Sequence, residues 1–325
     1  MNGSPGMARC MAALACLLLA ALPSAPASAQ SGKLLRIVVS FAAGGTADTL
    51  ARLVGQEISA TTGQSVVIEN RPGAGTAIAT EFVFRAPADG ATLLLTADPF
   101  VINPSVRTAI PYEPFAFEPV CLLVTSPQLL VVNAESPYKS VASLVMAAKA
   151  RPGELNYAAV GPGTSQHIAG EIFERSAEIN MVYVPFTGGY GAVLSILGGH
   201  VTTAFVNYNE VMAHIAVGRL RPLAVASRTR LPQLSGVPTL KDVGFHGIDA
   251  TAWFGVLAPP KTPRETLGLL IAQFKAALST PDVQAKLTAQ GLYPSLVCGS
   301  DFAAFLRQQH DNYARIVREA NIRVE

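Results

Sequence analysis

Short apolar runs rich in β-branched residues alternate along this chain with stretches whose apolar residues recur every three to four positions. The clearest unit spans residues 35–58. Leu35, Ile37, Val38, Val39 and Phe41 form a nearly continuous apolar run, the pattern of a strand covered on both faces. Leu50, Leu53, Val54 and Ile58 follow at helical spacing, with Thr46 placed as the helix N-cap. Between strand and helix, Ala42, Ala43, Gly44 and Gly45 offer bare backbone, and the glycines allow positive φ at no steric cost. Such a unit aims unpaired N–H groups and the positive end of a helix dipole at one point, which suits an anion. The loop has neither the Gly-Lys-Ser/Thr of a Walker A motif nor a GxGxxG fingerprint.

The same rhythm continues. Strands are expected over 65–69 and 92–96 with a helix over 76–85 between them. Asp98 and Asn103 fall at the carboxyl end of the third strand, where α/β sheets place ligands. Five prolines make 99–119 read as an irregular connection. After a strand at 128–133 the alternation restarts: a helix over 140–149, a strand over 155–160, and the loop Gly161-Pro162-Gly163-Thr164-Ser165-Gln166-His167 before another helix. Strands at 181–186, 201–208 and 220–227 follow, the first opening into Thr187-Gly188-Gly189 and the second carrying Asn207. After the apolar run 251–258 only helices are expected, one opening with the capping box Thr262-Pro263-Arg264-Glu265 and the last starting at Ser300. The alternation predicts two α/β lobes, each a parallel sheet flanked by helices. The first takes residues 31–132 and 255–325, the second 133–254. Crossings near 130–133 and 253–257 would form a hinge.

Composition adds the compartment. Half of the 325 residues are hydrophobic, ample for such cores, and a formal charge of +2 is too mild to argue for nucleic acid. Residues 1–29 read as a secretory signal: Arg9, an apolar stretch over 11–22, and Ala27-Ser28-Ala29 as the cleavage site, with Met7 an alternative start. That stretch is too short for a membrane anchor, so the mature chain is expected to be exported. Cys10 and Cys16 leave with the signal. Cys121 and Cys298 remain, either as a disulfide within the first lobe or as two buried thiols. The five histidines are scattered, so neither a metal nor any other cofactor is expected.

Each candidate residue has a plainer reading as well. Asp48 suits the first turn of a helix, where a carboxylate is favourable against the dipole. Thr46, Thr164 and Ser165 serve equally as caps or as ligand donors. His167 fits packing at its own helix start, Trp253 the core, and Arg36 and Arg71 the surface. Only Asp48 with His167 resembles a base and its orienter, and no GxSxG or HExxH occurs, so an enzyme is not expected.

Phe41-Ala42-Ala43-Gly44-Gly45-Thr46-Ala47-Asp48, Asn70-Arg71-Pro72-Gly73-Ala74-Gly75 and the loop from Gly161 through Glu171 resemble motifs of the Bug family, the periplasmic receptors of tripartite tricarboxylate transporters. Val184-Pro185-Phe186-Thr187-Gly188, Gly198-Gly199-His200-Val201 and Leu220-Arg221-Pro222-Leu223-Ala224-Val225 follow in order. The resemblance implies a two-lobed venus-flytrap (type II) fold. A small carboxylate would be held by backbone groups between Ala42, Ala43, Gly44, Gly45, Thr46 and Asp48 on one side and Gly163, Thr164, Ser165 and His167 on the other. Asp98, Asn103, Thr187 and Asn207 would complete the rim. The implied partners are membrane subunits of such a transporter or a sensor kinase, with the receptor itself a monomer. Ala159-Val160, Phe186-Thr187-Gly188 and Val206-Asn207 replace more polar family residues, which points to a monocarboxylate or a partly apolar acid rather than citrate.

Overall fold

The computed structural model describes residues 34–319 and residue 322; the signal expected over 1–29 lies outside them. β1 (Leu35–Val39), α1 (Thr46–Thr62), β2 (Val66–Asn70), α2 (Ala77–Phe84), β3 (Thr92–Ala97) and α3 (Pro99–Val106) lead to β4 (Glu118–Ser126). There follow β5 (Gln128–Asn133), α4 (Val141–Ala150), β6 (Asn156–Val160), α5 (Ser165–Ala177), β7 (Val182–Phe186), α6 (Gly189–Leu197), β8 (Thr203–Asn207), α7 (Tyr208–Ala216) and β9 (Leu220–Val225). β10 (Ala252–Ala258), α8 (Arg264–Ser279), α9 (Pro281–Ala289), β11 (Tyr293–Pro294) and α10 (Ser300–Glu319) complete the chain.

These strands form two sheets flanked by helices. One is six-stranded in the order β11-β4-β10-β3-β1-β2, the other five-stranded in the order β7-β6-β8-β5-β9. The alternation predicts parallel sheets, and the βαβ units are parallel: β1 with β2 and β3, β6 with β7 and β8. Both sheets are nevertheless mixed. β10 runs antiparallel to β3 and β4, and β5 antiparallel to β8 and β9. Each of these strands enters its sheet from the other one without a crossover helix, so nothing turns it to match its neighbours.

The passages between sheets differ from the expected positions. The apolar run that ends at Asn133 breaks at Pro127, which has no N–H to give a ladder, so β4 stays in the first sheet and all of β5 joins the second. All of β10 lies in the first sheet, with Phe254 opposite Ala97 and Val256 opposite Leu95. The helical tail also contains one extra strand, β11, a two-residue antiparallel pairing on β4.

The prolines of 99–119 do not prevent a helix. Pro99 sits in the first turn of α3, where a missing N–H costs nothing. Pro104, inside α3, cannot bond the Phe100 carbonyl, and the Tyr112 hydroxyl donates to that oxygen at 3.5 Å. Thr262 does not cap α8 either; its hydroxyl donates to the Pro259 carbonyl at 2.8 Å.

One core lies under α1 and α8, where Leu50, Val54 and Ile58 meet Phe274 and Leu278 against Leu35, Ile37 and Val39 of β1. On the opposite face, Phe302, Leu306, Tyr313 and Val317 of α10 pack with Phe100 and Val101 of α3 and with Trp253. Phe302 and Phe305 meet Trp253 edge-on, with ring centres 6.1 and 5.8 Å away, so Trp253 is a core residue. Gly255 leaves room for the Phe302 ring, which a Cβ would strike. Cys121 of β4 and Cys298, just before α10, form a disulfide.

Candidate functional site

Loops at the carboxyl ends of strands from both sheets enclose a cavity of about 160 Å³. The first sheet contributes Phe41, Ala42, Ala43, Gly45, Thr46, Ala47, the segment 97–99, and Ala252 and Phe254 of β10. The second contributes Val160, Thr164, Gln166, the segment 187–191, Asn207 and Glu210. Eight residues singled out from the sequence therefore meet here: Ala42, Ala43, Gly45, Thr46, Asp98, Thr164, Thr187 and Asn207. Gly44, Asp48, Asn103, Gly163, Ser165 and His167 do not line the cavity.

The start of α1 shows why. Gly44 makes the turn at φ 83°, while Gly45 is extended and is itself the N-cap, without a side-chain cap. Thr46 is thus one residue inside the helix and its hydroxyl is released from capping. It donates to Glu210 Oε1 at 3.1 Å and accepts from Asn209 Nδ2 at 2.9 Å, joining the two sheets. Asp48 turns back on its own loop, accepting from the Gly44 N–H at 2.9 Å and meeting Arg52 at 2.9 Å. Burial opposes ionisation, but the Arg52 guanidinium and the Gly44 N–H outweigh it and hold the Asp48 carboxyl below its ordinary range.

At the start of α5 the protein supplies its own anion. Thr164 caps the helix, accepting from the His167 N–H at 3.3 Å. The Ser165 N–H donates to Asp98 Oδ2 at 2.5 Å, and the Ser165 hydroxyl accepts from Gln128 Nε2 at 2.6 Å. The cradle expected at Gly163–Ser165 is therefore spanned by a carboxylate from the first sheet. Burial pushes that carboxyl up to about 6, although the Ser165 N–H pulls the other way. Gly163 packs beside Asn103, whose Nδ2 donates to the Gly75 carbonyl at 2.7 Å and ties two loops together. The His167 ring lies 4.4 Å from the Tyr183 ring, with Nε2 3.7 Å from Glu171, and burial lowers its pKa. Asp48 and His167 thus have separate local partners, and no base–orienter pair forms. Arg36 and Arg71 both pair with Glu69.

Sequence reasoning missed Gln166, Gly188–Gly191 and Glu210. Gly188 is the N-cap of α6 and has no side-chain cap. Its loop lines the cavity alongside Thr164, while Gly163 and Ser165 stay out of the wall. Glu210 is the third residue of α7 and closes a capping box, with Oε2 accepting from the Asn207 N–H at 3.1 Å. The spacing Asn207-x-x-Glu210 is a visible capping-box signal, but it gives no hint that the carboxylate faces a cavity. Burial pushes this carboxyl up to about 7, against the hydrogen bonds from Asn207 and Thr46. A Cβ on Gly189 would collide with it. Among the described residues, Asp98 and Glu210 are the only charged side chains in the cavity wall, and no Lys, Arg or His lines it.

The sequence profile of the tripartite tricarboxylate transporter family receptor matches residues 50–322. The chain belongs to this family. Protein BugT of Bordetella pertussis is 32% identical over 98% of the chain and 99% of its own length. Among solved structures, R. palustris Rpa4515 with adipate is 31% identical with a TM-score of 0.86, over 90% of this chain and 99% of that one. MatC (Rpa3494) from Rhodopseudomonas palustris with bound malate is 27% identical with a TM-score of 0.80, over 87% and 98%. The two sheets are accordingly the two lobes of a type II periplasmic binding protein fold, and the cavity lies in the cleft between them. Among the described residues no helix is long and apolar enough to cross a membrane.

Proposed function

We propose that this protein is a periplasmic receptor that captures a small carboxylate between its lobes and presents it to the membrane subunits of a tripartite tricarboxylate-type transporter. The observation that carries this reading is the cavity between two helix starts, α1 at Gly45 and α6 at Gly188, neither capped by a side chain. The first-turn N–H groups of such helices have no intrahelical acceptor and favour an anion. Capture through them would use Ala42, Ala43, Gly45 and Thr46 from one lobe and Thr187–Tyr190 from the other. Micromolar affinity corresponds to about −8 kcal/mol. A helix dipole supplies roughly 0.3–1 kcal/mol, so the dipoles do not suffice. Four or five hydrogen bonds to the charged group, at about 1.5–3 kcal/mol each, supply it after part is lost to ordering. The bound adipate and malate of the two relatives support the ligand class.

The lobes would hinge where the chain passes between sheets, at Pro127 and just before Ala252. Both lobes must contribute contacts, because a ligand that touches one lobe equally in both states does not shift their balance. Calorimetry with a panel of small carboxylic acids tests the reading. A Cβ at Gly45 would meet only the Ala42 carbonyl, at 3.5 Å, so Gly45→Val is expected to fold. Its branched side chain would crowd the cavity wall and abolish binding, while Thr46→Ala only weakens it. Unchanged affinity in Gly45→Val would move the ligand elsewhere.

A further inference from the structure

We propose that Glu210 determines what the cleft accepts, selecting a carboxylate that also carries an ammonium group, of the amino acid type, over mono- and dicarboxylates. This inference rests on the carboxylate-binding reading above and names its ligand class. The cavity wall contains two carboxylates, Asp98 and Glu210, and no cationic side chain. They are not equivalent. Asp98 is answered from the opposite lobe by the Ser165 N–H at the start of a helix. Glu210 receives bonds from the Asn207 N–H and the Thr46 hydroxyl at 3.1 Å each, and a further one from the Asn207 side chain, all neutral donors. A carboxylate has about four acceptor positions, so Glu210 keeps capacity for a ligand donor.

The capping role explains only half of this arrangement. Reaching back to Asn207 requires one oxygen, and a glutamine does the same. It does not require Glu210 to be 5% exposed in the wall of a cavity, with Gly189 bare beside it. Thr46 fixes the scale, since it sits in the first turn of α1 and touches Glu210. A ligand carboxylate on the α1 amides therefore has Glu210 within the span of one small molecule. An ammonium at the α-carbon fits that span and gives Glu210 a counter-charge. A second carboxylate there would face like charge in a wall without cations.

The test is binding to the purified full-length protein by calorimetry with three probe sets: the twenty protein amino acids, straight-chain monocarboxylates from acetate to hexanoate, and dicarboxylates from malonate to adipate. The tightest binder is expected among the amino acids, at least tenfold ahead of the other sets. Glu210→Gln should weaken that amino acid tenfold or more and leave or improve the monocarboxylates. A second readout needs no variant. Between pH 5.5 and 8, ionisation of Glu210 strengthens an ammonium ligand and weakens a plain carboxylate, giving opposite slopes. The other titratable side chains in the cavity wall are Asp98 and Tyr190. A mono- or dicarboxylate as the tightest binder, or parallel slopes, overturns this inference and leaves the carboxylate reading standing. No binding in any set overturns both.

Discussion

Asp98 ordinarily would titrate at 3.8 and Glu210 at 4.5, yet burial raises them to about 6 and about 7. In each case the folded chain holds the proton more tightly than the unfolded one. Stability from these groups is therefore greatest below about pH 4 and falls as pH rises through 6 for Asp98 and 7 for Glu210, by roughly 3 kcal/mol each. Asp98→Asn keeps an acceptor for the Ser165 N–H without the charge. Its denaturation midpoint should vary less than the wild type's between pH 4 and 6; parallel curves would show that the buried carboxylate costs nothing. At this scale the sequence was legible where chemistry is local and opaque where it is not. The glycine loop of 42–46 could be placed at the cavity because strand, bare backbone and helix start follow one another directly in the sequence. The role of Asp98 depends on a helix 67 positions further along the chain, and no local pattern encodes that pairing. Thr46 was misplaced by one position, since Gly45 caps α1 without a side chain.

The disulfide links β4 to the turn before α10, across 177 residues of sequence. In the chain-entropy model a loop of that length contributes about 5 kcal/mol by restricting the unfolded chain. Replacing Cys121 and Cys298 together with serine, or unfolding under reductant, should lower the denaturant midpoint accordingly while ligand affinity stays the same, because neither residue lines the cavity. A midpoint indifferent to reductant would show that the reduced unfolded state is already restricted. Elements driven by apolar periodicity were readable in advance, β1, α1 and α5 among them. α3 was not, because its prolines argue against helix unless one knows that Pro99 falls in the first turn and that Tyr112 serves the Phe100 carbonyl. β11 was not either: two residues carry no periodicity, and only the neighbouring edge of β4 makes them a strand.

Between the lobes run the Asp98–Ser165 bond and the contacts of Thr46 with Glu210 and Asn209. Combining Asp98→Ala with Thr46→Val should open the cleft and raise the radius of gyration in small-angle scattering, with the bound carboxylate restoring part of the compaction. An unchanged radius would mean that the hinge segments alone fix the lobe angle. The strand inserted from the far end of the chain has a further consequence. All five strands of the second sheet lie between residues 128 and 225, whereas β10, which separates β3 from β4, arrives only at 252–258. A chain that emerges amino-terminus first can therefore finish its second sheet while the first is still two fragments. Until residue 258 is delivered, β3 and β4 each present an unpaired apolar edge, the kind of surface that recruits strands from other molecules. The vulnerable interval in this protein's biogenesis is set by connectivity, and it closes when a single strand slides between two that have been waiting for it.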